Sequence, residues 1–182
     1  MFQTNTLNQI FMVSTDSAIP KPFTRLEKLD IPSCDGSQTI AHAKGVFRNS
    51  IEFFTASGLS GNIYFDLDVP SAVTPKTQVR VLEKGASRMP YRGLTYHQTF
   101  LQTGQKIQLL ALTQAQVVEF AATHRDSFVE GGLDSLFLFT SRGFLYWASI
   151  GKGADGLAIV IHDFPYKGAI ASDNGGYRIV VP

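Results

Sequence analysis

Apolar residues along this chain recur with two periods, and the switches between them mark the predicted elements. From Ser37, an acceptable N-cap, Ile40, Ala43, Phe47, Ile51 and Phe54 return at steps of three and four until Gly58, which predicts an amphipathic helix. Over residues 62–69 the period falls to two: Ile63, Phe65, Leu67 and Val69 share one face and Tyr64, Asp66 and Asp68 the other, the signature of a half-buried strand. Residues 77–84 repeat the alternation through Val79 and Val81, and Gly85 closes it. Residues 90–100, with Tyr91, Arg92, Gly93, Tyr96 and His97, read as a further strand; a turn at Gly104 and a short apolar strand over 106–112 follow.

The period then lengthens. Thr113 with Gln116 three residues on has the form of a capping box, and Val117, Phe120, Ala121 and His124 continue one helical stripe that ends ahead of the Gly131, Gly132 pair. Residues 136–140 are a continuous apolar run of strand length. Ser141 can cap a second short helix with Phe144, Trp147 and Ala148 on its buried face and Gly151 as its stop. Residues 157–162 and 177–181 are apolar strands, the latter finished by Pro182. Residues 1–37, polar and interrupted by Pro20, Pro22 and Pro32, read as an irregular N-terminal arm. Short helices and irregular connections favour an α+β class with a mixed or antiparallel sheet over a doubly wound one.

Composition narrows the function classes. At 182 residues, 44% apolar and 17% charged, the chain suits one domain with a substantial core. A formal charge of +1 with no one-signed run gives no support to nucleic-acid binding through phosphate neutralisation. The only cysteine, Cys34, has no intramolecular disulfide partner, and the histidines at 42, 97, 124 and 162 are too scattered to suggest a metal. No signal peptide or membrane span is visible, and the compartment stays open.

Several motifs carry competing readings. Gly151, Gly153 and Gly156 satisfy the letters of a dinucleotide fingerprint, but they precede a strand where that motif needs a helix N-terminus, so a flexible turn is the better reading. Cys34 and His42 invite a thiol–imidazole pair, although Cys34 sits in the turn-forming run Pro-Ser-Cys-Asp-Gly. Asp66 and Asp68 share a strand face and could do acid–base work, but the solvent side of a half-exposed strand explains them as well.

The constellation that remains is Tyr91-Arg92-Gly93, then Phe139-Thr140-Ser141, then the terminal Tyr177-Arg178 strand ending in Pro182. Arg92 stands 49 residues before Ser141, and Ser141 stands 37 before Arg178. In order and spacing this resembles the ADP-ribosyltransferase superfamily over roughly residues 89–182. The arginine-type members of that superfamily carry an aromatic-Arg-Gly strand, a Ser-Thr-Ser strand end and a Glu-x-Glu before a hydrophobic strand. The resemblance implies a split, twisted α+β sheet, with residues 38–88 as a helix and β-hairpin decoration. It further implies NAD as the substrate, with no metal, and transfer of ADP-ribose to a macromolecular target, most simply a protein. Under it Arg92 forks onto the diphosphate beside Gly93, Ser141 and Thr140 shape the nicotinamide-ribose pocket, and His97 or Tyr91 lines it. A second branch of the superfamily is echoed by Tyr96-His97-Gln98-Thr99.

This chain departs from the pattern where chemistry is densest. Gly176-Tyr177-Arg178 stands where Glu-x-Glu is expected, and the nearest acid is Asp173. The Ser-Thr-Ser position can also be aligned on Leu112-Thr113-Gln114. The runner-up from another class is a non-catalytic protein-interaction or structural-assembly domain, motivated by the missing glutamate and by 14 Phe, 6 Tyr and 1 Trp. A hydrolase built around Cys34 or the carboxylate pair is a residual third.

Overall fold

A computed structural model describes residues 23–54, 67–84, 96–131, 134–164 and 176–182. Its centre is a hairpin. Strand β5 (Asp134–Ser141) pairs antiparallel with β6 (Phe144–Gly153) across Arg142 and Gly143, whose φ values of 50° and 77° are both left-handed. Two such residues match the right-handed twist of the flanking strands. The helix expected after Ser141 is therefore a strand. Trp147 and Ala148 are both buried because the sheet is covered on both faces, and a doubly buried strand can mimic one stripe of a helix.

Strand β7 (Gly156–Asp163) returns from β6 through Ala154 and Asp155, so the glycine-rich segment is a hairpin turn between strands, with no helix N-terminus behind it. Strand β8 (Tyr177–Val181) lies parallel to the first half of β5, and the two-residue β4 (Leu112–Thr113) lies parallel to its last residues. Outside β8 come β3 (Thr77–Lys84) and then β1 (Arg25–Ile31), both antiparallel to their neighbours. On the other side β2 (Phe47–Phe54) runs parallel to β7. The result is one eight-stranded mixed sheet ordered β1-β3-β8-β5-β6-β7-β2, with β4 beside β5.

Strands β3, β5, β7 and β8 stand where periodicity predicts them. Five further segments differ. Residues 25–31, expected in an irregular arm, form an edge strand of the main sheet. The helix predicted from Ser37 to Gly58 is a single 3-10 turn at Ile40–His42 followed by β2. Gly45 weakens a helix there, and the aromatic and β-branched residues of the segment pair in register with β7 (Ile51 with Ile159, Phe53 with Ile161). Of the strand expected over 62–69, residues 62–66 lie outside the described residues, and at Leu67 the chain is already turning. Where a strand over 90–100 is predicted, Tyr96–Leu101 is a helix, α1; the strand expected over 106–112 is a 3-10 turn at Ile107–Leu109 plus β4.

Side chains sort cleanly between the faces. One face carries Val79, Phe137, Phe139, Ala148, Ile159 and Val180 and packs on helix α2 (Gln114–Thr123) through Val117, Phe120 and Ala121. The opposite face carries Leu82, Leu136, Leu138, Trp147, Ile179 and Val181 and packs on Phe100 of α1, Ile107 and Leu110. The protein is thus α+β and dominated by its sheet. No helix among the described residues is long and apolar enough to cross a membrane.

Candidate functional site

Helix α2 begins with the predicted capping box: the Thr113 hydroxyl accepts from the Gln116 amide, and the Gln116 side chain accepts from the Thr113 backbone N–H. This cap places Gln114, which is fully buried, at a crossing of three chain segments. Its Oε1 accepts from the Ile40 N–H at 3.1 Å, while its Nε2 donates to the Val69 carbonyl and, at 3.3 Å, to Ser141 Oγ. The Ala41 N–H reaches the Leu67 carbonyl at 3.3 Å, so the 3-10 turn and residues 67–70 are bound to each other and to α2.

Above this junction lies a cleft of about 420 Å³. Its polar walls are Ser37, Gln38, Thr39, His42 and Asp68. Its apolar lining is Ala43, Val46, Pro70 and Val118. His42 Nδ1 is 2.8 Å from Asp68 Oδ1 and 3.1 Å from Thr39 Oγ1. A carboxylate only accepts, so a proton on His42 Nδ1 lies toward Asp68. Gln38 Nε2 donates to Glu119 Oε2 at 3.4 Å, and Ser37 donates its hydroxyl to Asp35 at 2.7 Å. Hydrogen bonds from the Ser37 hydroxyl and backbone hold the Asp35 carboxyl below its ordinary value.

The sequence pairs both residues of the dyad differently, His42 with Cys34 and Asp68 with Asp66. Cys34 is buried and its thiol points to the Pro32 carbonyl at 3.5 Å. Burial pushes that thiol up, away from the thiolate a nucleophile needs. No spacing rule links positions 42 and 68; their segments are brought together by Gln114 and by backbone hydrogen bonds of Ala41 with Leu67, Gly36 with Ser71 and Cys34 with Thr74.

The residues marked by the superfamily resemblance are distributed as follows. Tyr91, Arg92, Gly93 and Asp173 lie outside the described residues. Ser141 is buried and points to the α2 face, toward Gln114. Its neighbour Thr140 points to the opposite face by strand alternation and donates to the Leu112 carbonyl at 3.4 Å. His97 is on Thr140's face: Thr140 pairs with Leu145, the Leu145 carbonyl accepts from the Phe164 N–H at 3.0 Å, and the Phe164 ring stands 5.2 Å from the His97 ring. The structure brings His97 and Thr140 to one side of the sheet and leaves Ser141 on the other.

Arg178, standing where the resemblance wants a glutamate, donates from Nε to Glu83 Oε2 at 2.9 Å and from Nη1 to the Ser127 carbonyl at 2.5 Å. It ties β8 to β3 and to the 3-10 turn after α2. Another histidine is unusual: His162 stacks on Trp147 with ring centroids 4.0 Å apart and planes 7° from parallel, and burial lowers its pKa to about 4. Among the described residues no group of three or more His, Cys, Asp or Glu is placed to hold a metal ion.

A scan against protein-family models and searches of curated proteins and of solved structures each find no match for this chain.

Proposed function

We propose that this chain is a protein-interaction or structural-assembly domain. The observation that carries the reading is the placement of Ser141: its hydroxyl is buried in a hydrogen bond with Gln114, on the face of the sheet opposite His97. A hydroxyl that shapes a ribose pocket has to reach the ligand, and this one instead braces α2 against β5. Arg178 adds to the case, since its guanidinium is committed to Glu83 in a partly buried ion pair. Beside this stands ADP-ribosyl transfer from NAD to a protein, with Arg92 as the diphosphate ligand and Asp173 as the acid. What favours it is that Thr140 and His97 share a face and that β8 is a hydrophobic strand ended by a proline.

Calorimetric titration with NAD, run beside light scattering of the same sample, separates the two. The interaction reading expects no saturable heat at millimolar NAD and a stable self-assembly or partner complex whose mass NAD does not change. Saturable NAD binding that is abolished by Arg92→Ala would overturn it in favour of the transferase.

A further inference from the structure

We draw no further inference here: the strongest candidate, the cleft beside the His42–Asp68 pair, carries nothing, because its lining mixes hydrogen-bond donors at Gln38 and Thr39 with acceptors, Asp68, the one carboxylate among its described lining residues, is already paired with His42, and nothing in the structure shows what occupies it.

Discussion

Removing the Gln114 side chain's hydrogen bonds should cost more stability than any surface change in this protein. Gln114→Leu keeps most of the volume but strands the Ile40 N–H, on a residue with no exposure, and the Val69 carbonyl, on a half-buried one. Ser141 loses a partner as well but has a further interaction of its own. Leaving a buried backbone group unsatisfied costs about 1–3 kcal/mol. One fully buried donor and one half-buried acceptor then sum to roughly 3 kcal/mol, and for a chain of this size that lowers Tm by about 6–12 °C. Gln114→Glu sharpens the test. It retains an oxygen for Ile40 but turns a second oxygen on the Val69 carbonyl, acceptor against acceptor. Burial, with one oxygen held against the Val69 carbonyl, raises the folded-state pKa of that carboxyl above its unfolded value of about 4.3. The penalty is therefore present at neutral pH and relieved as pH falls through the raised value, when the protonated acid can donate to Val69. Urea unfolding followed by the fluorescence of Trp147, the only tryptophan and almost fully buried, measures both variants at pH 7 and pH 5. The reasoning fails if Gln114→Leu lies within about 1 kcal/mol of the parent, or if the deficit of Gln114→Glu is the same at both pH values.

Two further changes bear on the fold. His162 has a folded-state pKa of about 4, below its unfolded value, so the unfolded chain takes up the proton first and stability is lost as pH falls from about 6.5 toward 4. Discounted for a ring that is about half buried, the loss is roughly 2 kcal/mol, and His162→Phe, which keeps the stack on Trp147, should flatten the stability–pH curve over that window. Gly36→Ala should destabilise by about 2 kcal/mol or more in equilibrium unfolding, because Gly36 has φ +83° and an added Cβ would stand 2.1 Å from the Ser71 carbonyl oxygen; a neutral result would mean that the turn moves freely.

What could be read in the sequence was local. The capping box depends on two residues of one turn, and α2 appears with it; β3 shows one face in its alternation, and β5 and β7 are short apolar runs with turn residues beside them. The misread elements all depend on partners far along the chain. Phe47, Ile51 and Phe54 have helical spacing, yet they belong to a strand because β7 offers its edge. In β6, Trp147 and Ala148 are buried on opposite faces, which no single-face pattern expresses. In β1, Leu26 packs on one face and Leu29 on the other, so neither period fits, and charged Glu27, Lys28 and Asp30 disguise an edge strand as an arm. The His42–Asp68 pair was hidden by the same errors, since a helix through residue 42 and a strand through residue 68 would place neither beside the other.

Ser141 has its importance for a reason other than the one its motif suggests. It marks the end of β5, where Gln114 can reach it, and the same amide holds the carbonyl next to Asp68 and the N–H two residues before His42. The segments that carry the dyad are therefore held by this buried side chain, which touches neither member, together with the backbone bonds of Ala41 to Leu67 and of Cys34 with Thr74. The cleft and the helix cap form one mechanical unit, and a sheet with helices on both faces can keep that unit apart from His97 and Thr140 on its far side. A ligand that needed Ser141 and His97 together would have to reach through the sheet.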